Sequence, residues 1–135
     1  MFDPANIPHF GTLKRRRLKA GNCLGHCKVL TDVGDPYRLA MGDLQIGGPC
    51  LYRHCWLETD EFVVDLNHPD RFFERESYYR RMQPVDVHLY TLREALTRGE
   101  QAGWVWDFWD LPPQPPDTPE KWNAWHRAKH GEPVG

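Results

Sequence analysis

The stretch Tyr52-Arg-His-Cys-Trp-Leu-Glu-Thr-Asp-Glu-Phe-Val-Val-Asp65 constrains the fold more than any other part of this chain. Tyr52, His54, Trp56 and Glu58 alternate with Arg53, Cys55, Leu57 and Thr59, a period-2 run rich in strand formers. Phe62-Val63-Val64 is a second such run, and the polar residues between them predict a turn and therefore an antiparallel hairpin. Residues paired across two strands share a face, as do their diagonal neighbours two positions away. A turn at Thr59-Asp60 sets His54 opposite Asp65. A turn at Asp60-Glu61 sets His54 opposite Asn67, with Asp65 as the diagonal neighbour on the same face. Only an odd-length turn would separate the two. A carboxylate beside an imidazole fixes its tautomer and raises its basicity, which a thiol or hydroxyl nucleophile needs from its general base. The plainer alternative is a surface hairpin that carries one His and one Asp by coincidence.

Upstream, Gly21-Asn22-Cys23-Leu24-Gly25-His26-Cys27-Lys28-Val29-Leu30 carries the start signals of a helix. Asn22 is a good N-cap, Leu24, Cys27 and Leu30 recur along one face, and Gly34 followed by Asp35-Pro36 supplies the stop. Cys23 then falls on the first helical residue, where unpaired N–H groups and the helix dipole favour a thiolate. Cys23 is thus the candidate nucleophile. Its alternative role is that of a small buried apolar residue, the role expected of Cys27. His26 is a rival base, but three residues along a regular helix it points over the helix surface, so His54 is preferred.

The order Cys, then His on a strand, then Asp on the next strand resembles the papain-like and transglutaminase-like thiol superfamily, including its small bacterial and phage-type members. The resemblance is carried by Asn22-Cys23 opening a helix, by Tyr37-Arg-Leu-Ala-Met-Gly42, by His54-Cys-Trp-Leu-Glu58 and by Val63-Val-Asp65-Leu-Asn67, and it covers roughly residues 20–80. It implies that Cys23 is the nucleophile, His54 the base and Asp65 the residue that orients it. Two positions depart from the pattern: Cys55 follows the histidine where a small residue is common, and Asn67 follows Leu66 where a Pro-Thr pair is frequent. The Cys23 backbone N–H is the one candidate for an oxyanion hole.

A chain of 135 residues, 40% hydrophobic and 13% aromatic, suits a single core. The formal charge of −2 argues against nonspecific nucleic-acid binding as the main role. Lys14-Arg15-Arg16-Arg17 with Lys19 is the one strongly basic patch, read as a solvated arm spanning residues 1–20. The N-terminus lacks an apolar signal region and no stretch reaches membrane-spanning length. The expectation is therefore a cytoplasmic protein whose four cysteines are reduced thiols. Those cysteines also permit another class of protein. Cys23, Cys27, Cys50, His54 and Cys55 could supply a structural zinc site, which needs four such ligands. Against this, Cys23 and Cys27 share a helix face rather than a knuckle turn, and His54 and Cys55 point to opposite faces of a strand.

Elsewhere, Tyr37–Met41 reads as a strand left at Gly42, and Leu44–Ile46 as its neighbour. His68-Pro69-Asp70 suggests entry to a helix through Phe72, Phe73, Glu76, Tyr79 and Arg80, with Arg75, Arg80 and Arg81 as a basic surface. Val85, Val87 and Leu89 predict a further strand. Thr91-Leu-Arg-Glu94 is a capping box opening a helix to about Gln101 that buries Leu92, Ala95 and Leu96 and ends near Gly103. Trp104, Trp106 and Phe108 would share one strand face. Pro112-Pro-Gln-Pro-Pro116 is a stiff spacer, and a last helix begins near Thr118-Pro119 and docks through Trp122 and Trp125.

Together these readings predict one α+β domain with a core over residues 21–110 and a Pro-rich spacer and helix over residues 111–135. Within it, a small antiparallel sheet packs against a cysteine-bearing helix, as in a papain-like/transglutaminase-like core. The predicted activity is that of a cysteine-dependent amide or ester hydrolase, deamidase or acyltransferase. It would work through a thioester on Cys23, without a cofactor, on a protein, peptide or small amide substrate. The alternatives are a zinc-stabilised binding module and a catalytically inactive relative serving as an interaction protein.

Overall fold

In the computed structural model, which describes residues 2–18, 22–45, 52–103 and 109–111, the alternating residues become the centre of a sheet. The strands are β1 (Arg38–Leu44), β2 (Tyr52–Glu58), β3 (Phe62–Val64), β4 (Phe72–Glu74) and β5 (Pro84–Tyr90). The helices are α1 (Phe10–Leu13), α2 (Asn22–Val33), α3 (Arg75–Met82) and α4 (Leu92–Gln101). The strands form one open, five-stranded antiparallel sheet in the order β4-β3-β2-β1-β5. The protein is thus a mixed helix-and-strand fold built on a small antiparallel sheet.

Period-2 alternation divides β2 between two cores. Cys55 and Leu57 join Leu39, Met41 and Val64 on the face covered by α2, which contributes Cys23, Cys27, Val29 and Leu30, and by Ala95 of α4. Trp56 joins Ala40, Val63 and Phe73 on the other face, under Tyr78 of α3. Both faces of β1 and β2 are therefore covered, which explains why nearly every β1 residue is buried.

The turn between β2 and β3 is Asp60-Glu61, the second of the two registers anticipated. Glu58 pairs with Val63, and the Thr59 N–H donates to the Phe62 carbonyl at 2.8 Å. The Thr59 hydroxyl accepts from the Glu61 and Phe62 N–H groups at 3.1 and 2.9 Å, a local hydrogen-bonding habit that suits threonine to turns. α2 runs from Asn22 to Val33 and stops at Gly34, whose φ of 61° is the left-handed conformation that glycine adopts without cost. The Thr91–Glu94 capping box opens α4 with both of its reciprocal hydrogen bonds, at 3.1 and 3.0 Å.

Four expectations need correction. β1 does not stop at Gly42 but runs on to Leu44: Gly42 pairs with His54 of β2, and the ladder to β5, interrupted by a register shift between Met41 and Asp43, resumes beyond it. Phe72 and Phe73 are in a strand, not a helix: they pair with Val64 and Val63, and α3 starts only at Arg75. Within the N-terminal arm the basic run Lys14–Arg17 is exposed, as expected, but the residues before it pack on the fold. Ile7 and Leu13 are buried, the Tyr37 hydroxyl donates to the Pro8 carbonyl at 2.6 Å, and Arg16 pairs with Asp32. On α4, Ala95 is buried as expected but Leu96 is exposed. The strand expected at Trp104–Phe108, the Pro-rich spacer and the last helix lie outside the described residues. Among those described, no helix is long and apolar enough to cross a membrane.

Gly42 lies directly opposite His54, and a Cβ there would sit 3.1 Å from Val87 Cγ2, 3.2 Å from the Trp56 ring and 3.3 Å from the Val85 carbonyl oxygen. Gly42→Ala is therefore expected to destabilise the fold by about 1–3 kcal/mol through overpacking, measured by chemical denaturation. Unchanged stability would mean that the β1–β2–β5 contact is looser than this.

Candidate active site

Asp65 follows β3 and is held from several directions. Its backbone N–H donates to the Arg71 carbonyl at 2.8 Å, and its carbonyl accepts from His68 N–H at 3.1 Å. Carboxylate Oδ2 accepts from His54 Nε2 at 2.7 Å and from the Tyr78 hydroxyl at 2.8 Å, while Oδ1 accepts from the Asn67 N–H at 3.2 Å. All of this is buried: His54 is 5% exposed, Asp65 1% and Tyr78 0%. Burial pushes the Asp65 carboxyl up. The hydrogen bond and charge of His54 and the hydrogen bond of Tyr78 outweigh it, leaving the pKa below its ordinary value of 3.8.

The His54 ring lies between two neighbours on its own face, Tyr52 at 5.4 Å and Trp56 at 6.2 Å between ring centroids. The Asp65 carboxylate can only accept, so His54 Nε2 carries the proton of that hydrogen bond. Tyr78 was absent from the site expected on sequence. Its only signal there was a pair of adjacent tyrosines, Tyr78-Tyr79, in a helix otherwise dominated by charged residues.

The two tyrosines divide the labour of holding α3 to the sheet. Tyr78 bonds Asp65, and the Tyr79 hydroxyl donates to Glu58 Oε1 at 2.6 Å. Glu58, only 3% exposed, also accepts from Trp56 Nε1 at 2.9 Å and from Arg75 Nε at 2.9 Å. Arg75, expected as part of a basic surface, is thus paired with Glu58 while its side chain stays partly exposed.

Cys23 is the second residue of α2, and the segment around that helix is tied to the Asp65 loop. The Leu18 N–H donates to the Leu66 carbonyl at 3.0 Å, and Asn67 Nδ2 donates to the Leu18 carbonyl at 3.0 Å. His26 Nε2 accepts from the Leu66 N–H at 3.0 Å, in a fully buried position. That bond assigns His26 a structural role and removes it as a rival base.

The structure brings His54 and Asp65 together; it does not bring the Cys23 sulfur onto the imidazole. Cys23 is instead disulfide-bonded to Cys55, with Cα atoms 5.4 Å apart. The expectation that every cysteine is a reduced thiol is therefore corrected for this pair. The physical reason lies in strand alternation, since Cys55 faces α2 whereas His54 faces α3. Consecutive Cα atoms lie about 3.8 Å apart, so Cys23 and His54 Cα atoms are separated by no more than about 9 Å. Cys27 remains a free thiol, buried, with its pKa raised by that burial.

The zinc alternative loses the Cys23 and Cys55 sulfurs to the disulfide. Among the described residues, no group of three or more His, Cys, Asp or Glu side chains is arranged to hold a metal ion. A groove of about 860 Å³ lies at the far end of β2 from His54, lined by Phe2, Asp60, Phe62, Arg75 and Tyr79 among others, and it includes none of Cys23, His54 or Asp65. Compared with protein-family models, curated proteins and solved structures, the chain shows no match.

Proposed function

We propose that this protein is a cysteine-dependent hydrolase, deamidase or acyltransferase in which reduced Cys23 is the nucleophile, His54 the base and Asp65 the residue that orients His54. The observation that carries this reading is the buried 2.7 Å hydrogen bond from His54 Nε2 to Asp65, one strand position away from the residue bonded to Cys23. A cysteine-bearing helix followed by antiparallel strands with His and Asp also supports a papain-like/transglutaminase-like core. A cytoplasmic setting, where thiol systems keep cysteines reduced, suits the active form.

In the reaction, reduction frees Cys23 to move from the Cys55 side of β2 to the His54 ring; His54 Nδ1 then takes its proton and the thiolate attacks the carbonyl carbon of an amide or ester in a protein, peptide or small molecule. The C–N or C–O bond breaks, and the imidazolium returns its proton to the leaving group, which leaves a thioester. Water or an amine then attacks the thioester and regenerates the thiol. Asp65 keeps Nε2 protonated throughout, so Nδ1 is always the nitrogen that exchanges the proton. Tyr78 and Asn67 hold the carboxylate in place.

A second reading is favoured by the disulfide itself. In a catalytically inactive relative acting as an interaction protein, the Cys23–Cys55 bond is a permanent staple and the His54–Asp65 pair serves packing alone.

An activated ester and an electrophilic peptide amide, applied to the reduced full-length protein, distinguish the two readings. Mass spectrometry should find a hydroxylamine-sensitive acyl group on Cys23, absent in Cys23→Ser and formed roughly 10²–10⁴-fold more slowly in His54→Ala. Equal rates in wild type and His54→Ala, or acylation at another residue, would establish the inactive relative.

A further inference from the structure

The geometry points to Cys55 as a resolving thiol, which stores the Cys23 nucleophile as a reversible disulfide and releases it on reduction. This inference rests on the assignment of Cys23 as nucleophile. It concerns how that residue is controlled, and it adds a residue with no part in the acyl-transfer steps.

Three features separate such a switch from a staple. First, the cross-link is redundant as a fastening. α2 is already fixed to the sheet by Cys27, Val29 and Leu30 in the core and by the buried His26–Leu66 hydrogen bond. Second, the bond captures the one cysteine in the first turn of a twelve-residue helix. Unpaired N–H groups there stabilise the thiolate, which favours both attack on an oxidant and departure as a leaving group. Third, the two sulfurs are unequally shielded. Cys55 is 0% exposed in the centre of the sheet and Cys23 is 5% exposed at the start of α2, so Cys23 is taken as the sulfur that an incoming thiolate attacks. Cys27 lies four residues further along α2 and is buried as a thiol, so it stands outside the exchanging pair.

The chemistry balances with reagents of a common class. A small monothiol such as glutathione attacks the Cys23 sulfur; the S–S bond breaks and Cys55 leaves as a thiolate and picks up a proton. A second monothiol attacks the mixed disulfide, releasing Cys23 as a thiol and one molecule of oxidised monothiol, a two-electron reduction in all. In reverse, the Cys23 thiolate attacks a hydroperoxide, whose O–O bond breaks to release an alcohol or water, and becomes a sulfenic acid. Cys55 then displaces hydroxide from that sulfur, forming the disulfide and water.

The test uses the full-length chain in glutathione buffers of graded redox ratio. Iodoacetamide labelling of Cys23 is followed by peptide mass spectrometry, and the melting temperature is read in parallel. The expected result is a rise of roughly tenfold or more in Cys23 labelling on reduction while the protein stays folded, reversed by hydrogen peroxide. Cys55→Ala should label at Cys23 at the reduced wild-type rate without any reductant. A disulfide that yields only when the protein unfolds, or Cys23 joined to a different cysteine, would overturn the switch. Should Cys55→Ala fold poorly, the wild-type labelling and melting series still decides the matter. Reversible labelling combined with no effect of His54→Ala on acylation would leave the switch intact and sink the enzyme assignment instead.

Discussion

Asp65→Ala is expected to lower the free energy of unfolding by about 2–4 kcal/mol, because three donors lose one charged, buried acceptor. The carboxylate is 1% exposed, and its loss strands the His54 ring N–H, the Tyr78 hydroxyl and the Asn67 N–H in a dry site. Guanidinium denaturation at neutral pH measures it; a loss under about 1 kcal/mol would mean that water reaches the three donors and takes over their bonds. The pH dependence has a definite sign. The Asp65 pKa is depressed in the fold, so its contribution is complete above the ordinary value of 3.8 and is lost as pH falls through the lower folded value. Asp65→Asn should therefore flatten the stability profile between 3.8 and the lower folded value, relative to wild type.

Glu58→Ala should cost about 2–4 kcal/mol, because the buried Trp56 N–H and the Tyr79 hydroxyl lose their acceptor together. Arg75 adds little to this total. Its side chain is 41% exposed, so solvent screens its ion pair with Glu58, and Arg75→Ala is expected to cost under about 1 kcal/mol. The distinguishing measurement is the ratio of the two losses in thermal or chemical unfolding. Equal losses would show that the ion pair, rather than the buried hydrogen bonds, carries the network. Because Glu58 anchors Tyr79 and Tyr78 reaches Asp65 from the same helix, Glu58→Ala should also slow acylation of reduced Cys23 if α3 shifts.

Local patterns carried the hairpin. The alternation from Tyr52 to Glu58 sets which side chains share a face, and the Asp60-Glu61 pair has the polarity of a turn, so the pattern alone joins His54 to Asp65. The same holds for α2 with its glycine stop and for the capping box of α4. Each depends on residues only a few positions apart, where backbone geometry and side-chain hydrogen bonds dictate the outcome. Phe72-Phe73 failed by the same measure: aromatic neighbours suit a helix or a strand alike, and pairing with Val63 and Val64 decided between them. Gly42 misled because glycine is a poor strand former in isolation, whereas β1 is gripped on both sides. Of the candidate site, the His54–Asp65 pairing was legible and the Tyr78 hydrogen bond to Asp65 was not. Nothing near Tyr78 in the sequence announces Asp65, thirteen residues away.

Composition and period thus determined, without further help, a mixed fold around one hairpin and an imidazole steadied by a carboxylate. Tertiary packing alone decided where the sulfur of Cys23 goes. Helix α2 lies over the face of β2 that bears Cys55, so the Cys23 sulfur meets a second cysteine and not the His54 ring. The reason is geometric: adjacent strand residues point to opposite faces, and only the docking of α2 selects which face receives the thiol.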